Sequence, residues 1–503
     1  MTDMQLDTLE AKGLVKLVAY QPELEYLFRH VLVQDAAYGS LLKQERRQLH
    51  RLVGESIEQV YADRASELAG ILAMHFELAG DADRAIRYLL ADGHYALERN
   101  ALREAFSAFE RARALLPAPA PDEDPATLRQ RVEIELGRAR AGYSFAEPDP
   151  MVADLRATVE PAERLGDLEL IWQIHLYIAL IQLESGIKAT EPSVQHSLKR
   201  VSEIGVALDD PSLGALPLAL VGLNKVFLGP VREGVEALEK AIPLMEQRRD
   251  FIGAAFSRGW LAIGYATLGE FDKADAAALH AKNEAARGDL IAQLDAAITE
   301  AMVASLRGEL DEALPIAKAC VERSQETGAT VCAVVSFWVL GDVYQRQGRF
   351  DAAREVLQLG YDLAPATGNA GVVWRPTLHA WLGTAQAMLG VSDPADERWE
   401  PALATARSVE NKVGEAGILW KRGEVRSQAG QYADAIEDFR ASAELYREQG
   451  ARPTLARVLR AWGVALRAAG DQAAGDARLR EGLALFEEMG IRREADEVRQ
   501  LLA

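Results

Sequence analysis

Glycine recurs along this chain on a fixed beat. Gly229, Gly269, Gly308, Gly348, Gly390, Gly430 and Gly470 follow one another at intervals of 40, 39, 40, 42, 40 and 40 residues. A second series, Gly288, Gly328 and Gly368 and then Gly450 and Gly490, keeps 40-residue spacing within each group. Two phased series of helix-ending residues leave room for two helices per period of about 16 residues, or ~24 Å, each. Composition agrees: 7% of residues are aromatic, β-branched runs are few, and Ala, Leu, Glu and Arg recur, which favours helix over sheet. The expected class is all-α.

One period shows how such a unit packs. Phe337, Leu340, Gly341 and Tyr344 share a helix face, Gly348 turns the chain, and Phe350, Ala353, Leu357 and Gly360 form the returning face before Pro365. Small residues at Gly341, Ala353 and Gly360 let two backbones approach while the aromatics fill the space around them. The pattern returns with Leu261, Ala262, Tyr265, Gly269, Phe271 and Ala274, with Gly423, Gly430, Tyr432, Ala435 and Phe439, and earlier with Gly93, Ala105, Phe109, Ala112 and Pro117. It resembles the tetratricopeptide repeat (TPR), a helix-turn-helix unit, with helices longer than the standard ones. The resemblance implies a right-handed TPR-like α-solenoid of about eleven helical hairpins over residues 61–490. A proline-rich loop at 117–125 interrupts it, and residues 491–503 are expected to form a capping helix with Ala495, Val498 and Leu501 on one face. Before Gly229 the beat weakens, with Gly80, Gly142 and Gly186 fitting loosely.

Residues 1–60 lack the beat. A helix end at Gly13-Leu14, alternating residues in VKLVAY and LEYLF around Gln21-Pro22-Glu23, and two following helices suggest a short hairpin within the last part of a winged helix. The runs Glu25 to His30 and Gln34 to Tyr38, with Leu41-Leu42, Arg46-Arg47 and Leu49-His50, are similar to a segment of bacterial signalling proteins. Those proteins carry a class III nucleotide cyclase or another effector, a STAND or AAA-like P-loop ATPase, a winged helix and a TPR arm. The resemblance implies that this chain corresponds to the C-terminal half of such a protein, or to a shortened relative, with a cyclase or ATPase module as partner.

Catalytic signatures are missing. None of the 12 lysines is followed by Ser or Thr, so there is no phosphate-binding P-loop. There is no G-x-S-x-G elbow, and the eight histidines show no metal-binding pair on a helix. No enzyme activity, cofactor or metal is expected. Cys320 and Cys332 lie on apolar stretches and read as reduced core thiols. No signal peptide or membrane span is read, so a cytoplasmic location is expected. The net charge of -20 disfavours nucleic acid and anionic membranes. A basic stripe of Lys43, Arg46, Arg47 and Arg51 is interrupted by Glu45 and Glu55, which fits a solvated face or a contact with a neighbouring domain.

The function expected is a non-catalytic protein-interaction and regulatory arm in bacterial signal transduction; the alternative is a TPR-containing transcription regulator whose winged helix binds DNA. Carrying the repeat over residue by residue, first helices present Trp338, Asp342 and Gln345, then Trp420, Glu424 and Ser427, then Arg457, Arg460 and Arg467 to a concave groove. Tryptophan and arginine are frequent interface anchors, which singles out a pocket around Trp338, Trp374, Arg375 and Trp420 for a protein partner. The competing reading makes the tryptophans inter-repeat core.

Overall fold

The structure is a computed structural model that describes residues 3–19, 25–99, 101–120, 122–143, 146–185, 187, 191–247, 251–286, 290–327, 329–367, 369–391 and 395–503. The turn Gln21-Pro22-Glu23, Gly186, Gly288, Gly328 and Gly368 lie outside them. The chain forms two compact units, one ending at Ala141 and one beginning at Gly142.

In the first unit, α1 (Asp3–Ala11) precedes an antiparallel pair, β1 (Val15–Ala19) and β2 (Glu25–Phe28), with Val15 opposite Phe28 and Leu17 opposite Tyr26. Then come α2 (Val31–Ser40), α3 (Lys43–Val60), α4 (Ala69–Ala79), α5 (Ala82–Glu98), α6 (Leu102–Leu115) and α7 (Pro125–Gly142). This is the helix, hairpin and two-helix order expected of residues 1–60. α3 also packs as the first helix of a pair with α4: a Cβ on Gly54 would meet the Phe76 ring at 2.9 Å.

The second unit opens with the short α8 (Pro148–Ala157) and α9 (Val159–Leu165), on the stretch where the glycine beat is weak. Eight helical hairpins follow among the described residues: α10 (Leu168–Glu184) with α11 (Pro192–Ala207), α12 (Ala215–Leu228) with α13 (Val231–Gln247), α14 (Phe251–Leu268) with α15 (Phe271–Ala285), α16 (Leu290–Arg307) with α17 (Leu310–Thr327), α18 (Thr330–Arg346) with α19 (Phe350–Leu363), α20 (Asn369–Met388) with α21 (Ala395–Ser408), α22 (Lys412–Gln428) with α23 (Tyr432–Gln449), and α24 (Arg452–Ala468) with α25 (Gln472–Glu488). α26 (Arg492–Leu502) closes the chain. The fold is an all-α, TPR-like solenoid.

Local chemistry sets these boundaries. Asp81, Asp167, Asn411 and Asp471 precede α5, α10, α22 and α25, and each side chain accepts the N–H of the residue three positions on. At the other ends, Gly269, Gly308, Gly348, Gly390, Gly430 and Gly470 all have positive φ. The N–H after the glycine reaches back to the last helical turn, as from Glu270 to the Tyr265 carbonyl at 2.9 Å. Inside the hairpins a first-helix glycine meets a large residue 16 positions later. A Cβ would lie 2.6–3.2 Å from the facing side chain at Gly93 and Phe109, Gly222 and Leu238, Gly383 and Trp399, Gly423 and Phe439, and Gly463 and Leu479, and closer still at Gly341 and Leu357. The absent side chain brings the axes together and buries one large residue per hairpin, worth about 1.5–3 kcal/mol each.

The hairpins of the second unit coil until they meet themselves. α12 touches α22, and α14 touches α24. Gly229 abuts Gln449, and Gly269 abuts Met489, in both cases 220 residues further along. That interval is five and a half periods, so turns within early hairpins lie against links between late ones, and the two glycine series meet along a seam. Gly348, Gly390, Gly430 and Gly470 lie off it, with open space where a Cβ would stand. Of the residues expected to bury one face of the capping helix, Ala495 and Val498 are buried, whereas Leu501 is exposed beside an open concavity. Cys320 is buried, which pushes its thiol up to about 12. Cys332 is half-buried and donates to Asp295 Oδ1 at 3.2 Å.

The seam gives a direct comparison. Gly308→Ala and Gly430→Ala impose the same left-handed strain of about 1–2 kcal/mol, at φ 91° and 76°. Only the first sets a Cβ 2.7 Å from Glu494 Oε2 and 3.3 Å from Ile491. Urea unfolding is expected to place Gly308→Ala a further 1–3 kcal/mol, roughly, below Gly430→Ala.

Candidate functional site

The first helices α12, α14, α16, α18, α20, α22 and α24 line the inside of the coil, where they border a partly open cavity of ≈ 140 Å³. Helical spacing supplies its walls. Trp374 and Trp381 are seven residues apart on one face of α20, and Trp260, Trp338 and Trp420 occupy related inward positions two periods apart. The rings form a continuous chain from Trp260 through Phe227, Trp374, Trp338 and Trp381 to Trp420, with centroid separations of 4.8–6.1 Å. These are the tilted and edge-to-face separations aromatic pairs favour. The buried Lys421 lies over two of them, its Nζ 4.0 Å from the Trp420 centroid and 4.9 Å from that of Trp381, and pairs with Glu424 at 3.0 Å.

A buried polar network borders the rings. Asp342 accepts from the Trp381 indole N–H at 2.8 Å and the Ser305 hydroxyl at 3.1 Å. Burial alone would push this carboxyl up, but Arg346, Lys421 and the indole bond outweigh it and hold it below its usual range. Arg346 donates to the Ser305 carbonyl at 2.5 Å and to Glu494 of α26 at 3.0 Å. Arg457 of α24 holds the same Glu494 at 2.6 and 3.1 Å and donates to the Leu306 carbonyl at 2.7 Å. One carboxylate and two guanidinium groups thus fasten α16 and α18 to helices some 150 residues later.

The residues singled out for partner binding fall in different places. Trp338, Asp342, Trp374 and Trp420 line the cavity. Gln345 is buried and donates to the Trp381 carbonyl. Arg375 is exposed, outside the cavity, stacked 4.8 Å from the Tyr361 centroid. Glu424 and Arg460 border a wider concavity of ≈ 550 Å³ between α22, α24 and α26, where Arg460 pairs with Glu497. Arg467 binds Asp476 at 2.7 Å and the Leu501 carbonyl beside it. The inner curve is therefore not an open groove throughout. Over α12 to α24 the coil's own tryptophans, with Arg346 and Arg457, line it. Phe227, Trp260, Trp381, Arg346 and Glu494 were missed as site residues. The repeat phase points to Trp260, and i, i+7 spacing to Trp381; no local signal marks Glu494.

Among the described residues, no group of three or more His, Cys, Asp and Glu is placed to hold a metal ion, and no helix is long and apolar enough to cross a membrane.

The sequence profile of the tetratricopeptide repeat family matches residues 294–366. An uncharacterized protein of Rhizobium meliloti (strain 1021) is 22% identical over 468 residues, covering 88% of this chain and 44% of that protein. The chain thus spans less than half the length of that relative. Among solved structures, a Rap protein complexed with competence and sporulation factor aligns with a TM-score of 0.52 at 12% identity, covering 74% of this chain and all of that one. A STAND protein with a tetratricopeptide repeat sensor from Pyrococcus horikoshii aligns with a TM-score of 0.42 at 14% identity, covering 78% of this chain and 57% of that one. The likeness to the Rap protein is one of fold.

The inter-turn clamp titrates. Burial would raise the Glu494 carboxyl, but Arg457 and Arg346 outweigh it and hold it at about 2, against 4.5 in an unfolded chain. Its folded value is the lower one, so its stabilisation is complete above pH 4.5 and is lost as pH falls towards 2. Chemical denaturation across this window is expected to show a loss of roughly 3 kcal/mol from this group. Glu494→Gln should be less stable at neutral pH and should lack that part of the acid dependence.

Proposed function

We propose that this chain is a non-catalytic protein-interaction and regulatory arm in bacterial signal transduction, and that its N-terminal unit docks a nucleotide cyclase or P-loop ATPase module. The observation that carries this reading is the apolar surface of α2 and α3. α2 buries none of its residues, and α3 buries only Gly54. Leu32, Leu42, Leu52 and Val60 are 76%, 70%, 59% and 65% exposed, with Val31 and Leu49 beside them. Such a concentration on one short stretch marks an interaction surface. It overlaps the segment from Glu25 to His50 that resembles cyclase- and ATPase-bearing signalling proteins.

A protein partner in the concave groove would engage the open stretch at Glu424 and Arg460, next to Arg467, while Trp338, Asp342 and Trp374 respond from inside the coil. The Rap solenoid, which has the same fold, is found complexed with competence and sporulation factor. That is the kind of complex this reading expects.

A photo-crosslinking residue at Leu32 or Leu52, introduced in bacterial cells, is expected to capture a protein bearing a class III cyclase or P-loop domain. Leu42→Glu should abolish the adduct while leaving the melting temperature nearly unchanged, since exposed substitutions cost about 0.5 kcal/mol or less. Absence of such an adduct, or a captured module whose activity is the same with and without this chain, contradicts the reading.

A further inference from the structure

We propose that the tryptophan-lined cavity on the coil axis binds an uncharged single-ring compound, and that occupancy fastens successive turns of the coil together. This goes beyond the interaction arm above and stands or falls without it.

Size sets the first limit. At ≈ 140 Å³ the space is close to the roughly 150 Å³ known to admit benzene in a protein interior. The walls set the second: seven aromatic side chains, with Met302 and Leu306 among the aliphatic ones, favour a flat apolar body. Charge sets the third. Asp342 is matched by Arg346, Glu494 by Arg346 and Arg457, and Lys421 by Glu424, so an ionic ligand would lose its water without gaining a free counter-charge.

The indole N–H groups of Trp338 and Trp420 are buried without a hydrogen-bond partner and are closed to the space, so they set no further requirement on a ligand. Because seven first helices from two coil turns line the space, anything bound there stabilises the closed coil over any opened form.

The test uses the full chain with acetophenone, ethylbenzene, benzoate and benzylammonium as probes, followed by calorimetry and saturation-transfer NMR. Ethylbenzene and acetophenone are expected to bind about fivefold or more tighter than benzoate and benzylammonium. Val413→Trp should fill the space and abolish binding of the two neutral compounds. Bound ethylbenzene should slow amide exchange in α12, α14, α22 and α24. Preference for an ion, no binding at all, binding undiminished by Val413→Trp, or unchanged exchange with bound ethylbenzene would each overturn the proposal. Should Val413→Trp fail to fold, Thr377→Phe provides a second filling substitution with the same expectation.

Discussion

Within these hairpins the paired helices touch where one of them has no side chain. Gly341 against Leu357, Gly423 against Phe439 and Gly463 against Leu479 are one contact used repeatedly, a missing Cβ filled by a large residue 16 positions later. Close packing at such a point tolerates little displacement, so each hairpin fixes the angle between its helices and, through its neighbours, the small rotation to the next. A repeat array adds those rotations up. In the second unit they accumulate to a full turn after five and a half periods, which is why Gly229 and Gly269 lie against Gln449 and Met489. The geometry of the cavity is thus inherited from contacts on the far side of the helices that line it.

Closure adds a different kind of energy. Neighbouring hairpins bury apolar faces, which is favourable and largely indifferent to register. The clamp of Arg346, Arg457 and Glu494 is buried and ionic, and the desolvation of three charges offsets much of their attraction. What it supplies is discrimination: a coil closed one residue out of register leaves a guanidinium or a carboxylate unpaired, at a cost of several kcal/mol. Arginine suits the position because its planar fork can hold a carboxylate and a backbone carbonyl at once, as Arg457 holds Glu494 and Leu306. A contact of this kind favours one closed state without making the array rigid along its length.

The repeat and its helices were legible because they are local. Gly348, Phe350, Ala353 and Leu357 announce a turn and a packed face within a dozen residues, and the structure places them so. Trp338, Trp374 and Trp420 were legible as inward-facing for the same reason. Whether they faced a groove or a filled axis was not, since that depends on the coil's pitch, a sum of many small rotations that no single residue encodes. Glu494 shows the limit most clearly: in sequence it is one acid in the RREADE run of a charged terminal helix, and its two partners lie 37 and 148 residues away. Gly308 and Gly430 are equivalent members of one series, yet only Gly308 also answers a steric demand from the next turn.

The interior of this coil departs from ordinary packing in three ways at one place. It keeps an unfilled space although aromatic side chains were available to fill it, it leaves two indole donors unmet, and it buries charges that apolar residues could replace. Each departure lowers stability on its own. Stability alone would be better served by a larger residue at Thr377, which lines the space. Violations of local consistency that coincide are expected where a structure serves something besides its own stability. Here they coincide on the axis where two turns of one chain meet, the position from which a small bound group acts on the largest number of repeats.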